Sequence, residues 1–380
     1  MPSDKSTPAR WIADRMRHIE ASGIRKVFAL ARTLKDPVNL SIGQPHFDVP
    51  PPIKTAAHAA IDAGHNGYTV TQGIPELCSV IQRDVDKRFR HSDRQVFITS
   101  GTSGGLLLAL FCTVNPGDEV IIFDPYFVMY PQLASLIGGR PVFIDTYPDF
   151  QIDVDKVAAA ITSRTKAILV NSPANPTGVV IARERMRRLA KLAKERGVLL
   201  LSDEVYSAFS YDGSYCSPAE FNEDAVVFDG FSKAYGMTGW RLGFAHGPGR
   251  LIEEMIKLQQ FSYVCAPSIV QHAGIAAWGC DVSSIVEDYR RKRDRLCEAL
   301  SDRYELVKPE GAFYLFPQAP WGSASEFVEE AIRNNLLIIP GCTFSQRDTH
   351  FRVSYAADDR TIERGIEILD RIRTPSGAIR

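Results

Sequence analysis

Short apolar runs separated by longer amphipathic stretches constrain this chain more than anything else in it. Val96-Phe97-Ile98-Thr99, Val120-Ile121-Ile122-Phe123, Ala167-Ile168-Leu169-Val170, Val198-Leu199-Leu200-Leu201 and Val226-Val227-Phe228 are short, aliphatic and nearly continuous in their hydrophobicity. Runs of that kind suit strands buried on both faces, which occur in parallel sheets whose neighbours are joined by crossover helices. Ala182 to Arg196, rich in Arg, Leu, Ala and Lys, predicts one such helix, and Gly197 stands where it would stop. The alternation predicts an α/β fold with a mostly parallel sheet flanked by helices.

At 380 residues the chain exceeds one small core and suits a large domain with a smaller partner. Beyond about residue 280 the texture changes to a long charged helix, Val286 to Arg303, then short strand-like pieces at Ala312 to Phe316 and Phe351 to Ser354. We therefore expect residues 48–280 to form the large domain and 281–380 a smaller α+β domain, with 1–47 supplying an N-terminal arm and part of the smaller one. A net charge of -1 offers no basic footprint for nucleic acid or an anionic membrane, and no apolar run reaches the length of a membrane span. The seven cysteines are scattered without metal-ligand spacing, so no metal is expected, and reduced thiols in a cytoplasmic protein are.

Polar segments follow several strand candidates directly: Ser100-Gly101-Thr102-Ser103, Asn171-Ser172-Pro173-Ala174-Asn175-Pro176-Thr177-Gly178 and Asp203-Glu204-Val205-Tyr206. Ligands of open α/β sheets bind outside the carboxyl ends of the strands, so these segments are expected to share one crevice. The segment from Gly230 to Gly243 adds Lys233 and Arg241, eight positions apart among small residues. A neutral lysine amine condenses with an aldehyde, and a guanidinium grips a phosphate through a rigid fork. A glycine-rich turn such as Gly101-Thr102-Ser103-Gly104-Gly105 before a helix presents free N–H groups to an anion.

In these segments, which occur in order from about residue 20 to 356, the chain resembles the class I/II aminotransferases. These are fold type I enzymes of pyridoxal phosphate (PLP) with a seven-stranded sheet in the large domain. The resemblance implies that Lys233 holds the PLP aldehyde as a Schiff base, and that Asp203 meets the pyridine nitrogen. It gives Tyr206 and Asn175 the phenolate oxygen, and Gly101, Thr102, Ser103, Ser232 and Arg241 the phosphate. Phe127 stacks on the ring, with Tyr126 as the alternative. Arg352 in Phe351-Arg352-Val353-Ser354 would clamp the substrate's α-carboxylate, with Gly43 and Asn175 beside it. Tyr68 matches a tyrosine that reaches the phosphate of the neighbouring subunit, which implies a homodimer. Gly230 stands where many members have serine, and Gln44 and His46 where acidic residues are frequent.

The reaction implied is ping-pong transfer of an amino group between an L-amino acid and a 2-oxo acid, with Lys233, Asp203 and Tyr206 catalytic. Aspartate and aromatic or neutral amino acids are the candidate donors, with 2-oxoglutarate as acceptor. A PLP-dependent C–S or β-lyase would use the same lysine, aspartate and tyrosine. A non-catalytic PLP-sensing protein would add a DNA-binding domain, for which the chain has no spare residues.

Overall fold

All five apolar runs become strands of one sheet. A computed structural model describes residues 11–19 and 34–374; of the expected arm, residues 1–10 and 20–33 lie outside the described residues. Strands are numbered along the chain from β1 (Val38–Asn39). The expected runs form β2 (Arg94–Thr99), β3 (Glu119–Asp124), β5 (Thr165–Asn171), β6 (Leu199–Asp203) and β7 (Val226–Gly230). Joined by β4 (Arg140–Asp145) and β8 (Gly243–Pro248), they make a seven-stranded sheet in the order β2-β8-β7-β6-β5-β3-β4. β8 alone runs opposite to the other six strands.

Period-two alternation divides the side chains between two cores. Along β3, Ile121 joins the layer containing Leu77, Ile81 and Ile168, while Val120 and Ile122 join the opposite layer with Leu106, Leu108 and Leu110. The helix Gly101–Thr113 is buried along much of its length, because both the sheet and a second helix, Gly249–Ser262, cover it. Its glycine-rich segment is the helix's own first turn rather than a separate loop before it. The crossover helix runs Arg183–Glu195, and Gly197 follows at φ +62, the left-handed conformation of a helix-ending glycine.

A second, smaller unit draws on both ends of the chain. Short β1 pairs parallel with β10 (Leu336–Leu337), and β11 (Ile339–Pro340), β12 (Phe351–Ser354) and β9 (Tyr314–Leu315) form an antiparallel sheet in the order β11-β12-β9. The helix expected at 286–303 runs Ser283–Leu300. The strand expected at 312–316 shrinks to two residues, since Ala312 takes φ +54 and bends the chain out of extended geometry. Tyr289, Phe313, Phe327 and Leu369 anchor the core of this unit.

The two units meet at Gly178. Its carbonyl accepts from the N–H groups of Glu310 (3.0 Å) and Gly311 (2.9 Å), and a Cβ on it would lie 2.6 Å from the Tyr314 carbonyl. Because Gly178 also has φ +71, Gly178→Ala is expected to destabilise the protein by about 2–4 kcal/mol through backbone strain and overpacking. Calorimetry checks this, and an unchanged unfolding midpoint contradicts it.

Candidate active site

Since β8 reverses between β2 and β7, the carboxyl ends of β2, β3, β5, β6 and β7 all open on one edge of the sheet. There the chain encloses a cavity of about 330 Å³ lined by Gly43, Thr102, Ser103, Phe127, Asn175, Asp203, Tyr206, Ser232, Lys233, Arg241 and Arg352. Gly101 does not line it but lies directly against the Arg241 guanidinium. Tyr68 is elsewhere, 86% exposed on the surface of the chain. Tyr126 sits behind the cavity, stacked on Phe143 and accepting a hydrogen bond from Gln346 Nε2 at 2.7 Å.

Lys233 follows β7 and donates from Nζ to the Gly43 carbonyl at 2.6 Å. Its nitrogen is 5.6 Å from the centre of the Tyr206 ring. Burial, with Arg352 and Arg241 nearby, brings its pKa down to about 8 against the opposite pull of Asp203. Asp203, the last residue of β6, is buried and its carboxyl is raised to about 6 by that burial. Hydrogen bonds from Tyr130 Oη (2.8 Å) and the Val205 N–H (3.3 Å) partly offset the desolvation.

Arg352, on β12, is 1% exposed, and among the described residues no carboxylate pairs with it. Its fork donates to Asn175 Oδ1 at 3.0 Å and the Ser41 carbonyl at 2.7 Å, while Nε has no partner. The guanidinium is packed between the rings of Tyr314 and Phe344, 4.6 Å from each. A buried guanidinium without a counter-ion is costly, and a carboxylate entering the cavity would offset that cost.

At the other end, Thr102 Oγ1 is buried in the first turn of the Gly101–Thr113 helix and has no hydrogen-bond partner. Arg241 is held at φ +57, donates to the Thr238 carbonyl at 3.0 Å and lies over Gly101. A Cβ on Gly243 would fall 2.6 Å from the Thr102 nitrogen, so β8 must be glycine there for the helix start to approach. Helix N-terminus, orphaned hydroxyl and guanidinium together suit an oxyanion.

Among the lining residues not singled out from sequence, three hold the others in place by hydrogen bonds. Tyr130 holds Asp203; Asn171 spans from the Asp203 carbonyl (2.9 Å) to the Asn175 N–H (2.9 Å); and Tyr314 Oη meets Tyr206 Oη at 2.8 Å. Tyr130 lies three residues after Phe127 and Tyr314 one residue after Phe313, and only the fold shows where their hydroxyls point.

Comparison with known proteins gives this geometry its family. Residues 35–369 match the model of aminotransferase class I and II. The chain belongs to the class I and II aminotransferases. This aminotransferase is 36% identical to a probable aspartate aminotransferase of Methanocaldococcus jannaschii, over 95% of this chain and 99% of that one. It is 33% identical to aromatic-amino-acid aminotransferase 2 of Thermococcus litoralis, over 95% and 98% of the respective chains. The solved structure of Thermus thermophilus aspartate aminotransferase with maleate superposes with a TM-score of 0.90 at 33% identity, covering 95% of this chain and 99% of that one.

The cofactor of this aminotransferase is PLP, and the cavity fits it. The orphaned Thr102 hydroxyl at a helix N-terminus suits the phosphate, the amine of lowered pKa the aldehyde, and the buried Asp203 carboxylate a ring nitrogen. Neutral amine is the nucleophile, so lowering the pKa makes Lys233 reactive at lower pH. Capture of PLP by the apoprotein should accelerate with pH to a plateau with its midpoint near 8, as stopped-flow absorbance would record. A midpoint near an ordinary lysine's 10.5 contradicts this environment.

Proposed function

We propose that Lys233 holds the PLP aldehyde through a Schiff base and exchanges it for the amino group of an incoming L-amino acid, in a ping-pong transamination. The observation that carries this reading is an amine and a guanidinium, half-buried Lys233 and buried Arg352, lining one cavity with no carboxylate bonded to either among the described residues. When bound, PLP supplies an aldehyde and a protonated pyridine that draws electrons from the substrate's Cα.

The chain's own residues divide the remaining work. Asp203 is ionised above about pH 6 and keeps a proton on the ring nitrogen. Tyr206 and Asn175 serve the phenolate oxygen, and Phe127 stacks on the ring. Gly101, Thr102, Ser103, Ser232 and Arg241 hold the phosphate. Arg352 takes the substrate's α-carboxylate in a bidentate pair, with Gly43 backbone and Asn175 alongside. Held there, the substrate presents its Cα–H to Lys233, whose Nζ removes that proton once it is released from the cofactor.

The donor is aspartate or an aromatic or neutral amino acid, and the acceptor 2-oxoglutarate; the names of the relatives support both donor classes. Lys233, Arg241 and Arg352 are the cations lining the cavity among the described residues, and each already has a role. An aromatic side chain meets Ile42 and Met129 without further charge, whereas a second carboxylate takes its counter-ion from the partner subunit or from outside the described residues. Lys233→Ala should lower kcat by about 10²–10⁴-fold or more, and Arg352→Ala should lower kcat/KM by about 30-fold or more. Coupled assays with aspartate, phenylalanine and alanine check this. Pyruvate with sulfide or ammonia from cysteine or serine, in place of 2-oxo acid exchange, contradicts it.

A homodimer completes the site in this reading, with Tyr68 crossing to the phosphate of the partner. Support comes from exposed apolar residues on this chain: Tyr68, Val70, Phe261 at 84% and Val264, a β-branched residue held at φ +67. Sedimentation at assay concentration should give a dimer; a fully active monomer contradicts it. The seven free thiols support a cytoplasmic setting, and no helix among the described residues is long and apolar enough to cross a membrane.

A further inference from the structure

We propose that Tyr314 is a positioning residue for the reaction: its hydroxyl donates to Tyr206 Oη and so turns the Tyr206 proton toward the cofactor's phenolate oxygen. The proposal rests on the cofactor assignments given above.

The two hydroxyls are 2.8 Å apart, and both side chains are buried. Tyr206 carries one proton. If it were spent on Tyr314, none would remain for the cofactor, so the direction of this bond decides whether Tyr206 works as a donor. One feature favours that direction and two hold the pair in place. The Arg352 guanidinium lies 4.6 Å over the Tyr314 ring and makes its proton the easier of the two to share. Gly43 closes the other side, since a Cβ there would come within 2.6 Å of Tyr314 Oη, so the hydroxyl has little room to turn elsewhere. Edge-on packing of the Tyr206 ring against Phe313 (5.3 Å) and Tyr314 (5.7 Å) holds the acceptor in place.

A hydroxyl that accepts one hydrogen bond becomes a stronger donor of the next. A phenolate held by stronger donors is a weaker base toward the proton on the adjacent Schiff-base nitrogen, so that proton leaves at lower pH. Tyr314 therefore sets, by way of Tyr206, the pH at which the active site changes protonation state. The charged and titratable groups facing the pair are Arg352, Asp203, Lys233, Tyr130 and Tyr289, and the variants below leave all five in place.

The test is the pH midpoint of the visible absorption band of the PLP-loaded protein in wild type, Tyr314→Phe, Tyr206→Phe and the double variant. Phenylalanine at 314 retains the ring contacts with Arg352 and Phe313, and circular dichroism verifies the fold. Tyr314→Phe should raise the midpoint by roughly half to one pH unit, the effect of one hydrogen bond. Tyr206→Phe should raise it further, and the double variant should match Tyr206→Phe. An unchanged or lowered midpoint in Tyr314→Phe overturns the proposal, as does an equal added shift in the Tyr206→Phe background, which would show an effect independent of the pair. If Tyr206→Phe leaves the midpoint where it was, the Tyr206 assignment itself fails and takes the proposal with it; no visible band in wild type would sink the PLP reading as a whole.

Discussion

Two carbonyls of one loop hold the two cations on which this site depends, half-buried Lys233 and fully buried Arg352. Lys233 Nζ rests on the Gly43 oxygen and the Arg352 fork on the Ser41 oxygen, while Asp203 is bonded to Tyr130 rather than to either cation. Burying positive charge without a counter-ion costs several kcal/mol, and carbonyl dipoles offset only part of it. The loop is itself tethered. β1 pairs with β10, the Ser354 N–H donates to the Leu40 carbonyl at 2.7 Å, and the Leu40 N–H donates to the Leu337 carbonyl at 2.9 Å. The smaller unit thus aims one carbonyl at Lys233, carried by the larger sheet, and the other at its own Arg352.

That division explains why the site lies at the seam. Strand ends of the seven-stranded sheet deliver Asp203, Asn171 and the Lys233 turn at fixed spacing, while β12 and β9 deliver Arg352 and Tyr314 from the other side. Groups for a phosphate collect where β2 and β8 adjoin the Gly101–Thr113 helix, and groups for a carboxylate where β12 meets Asn175. The intervening space is left to the ring and the reacting carbon, so a single molecule bridging both ends would be held by its two anionic groups with its centre at Lys233.

Much of this was legible in the sequence, for identifiable reasons. Strands buried on both faces are continuous apolar runs, and all five were visible, as were the crossover helix and its glycine stop. β4 and β8 were not: β4 is a partly exposed edge opening with Arg140 and Pro141, and β8 carries two glycines, a histidine and a proline. Glycine in β8 serves close approach of the helix start rather than strand propensity, as Gly243 against Thr102 shows. Lys233 and Arg241 stood out by their spacing among small residues, and Asp203 and Arg352 through the resemblance of their segments to those of the family. Tyr130 and Tyr314 escaped notice because a buried tyrosine is ordinarily core, and only three-dimensional placement brings their hydroxyls to Asp203 and Tyr206.

The central claim is that Lys233 is the amine the rest of the fold prepares. Its most direct test is to load the protein with PLP, reduce with borohydride, digest, and locate the pyridoxyl group by mass spectrometry. The account predicts stoichiometric label on the peptide containing Lys233 and none after prior blocking of the site by a tightly bound analogue. Label spread over surface lysines, or concentrated at another lysine such as Lys292, would contradict it.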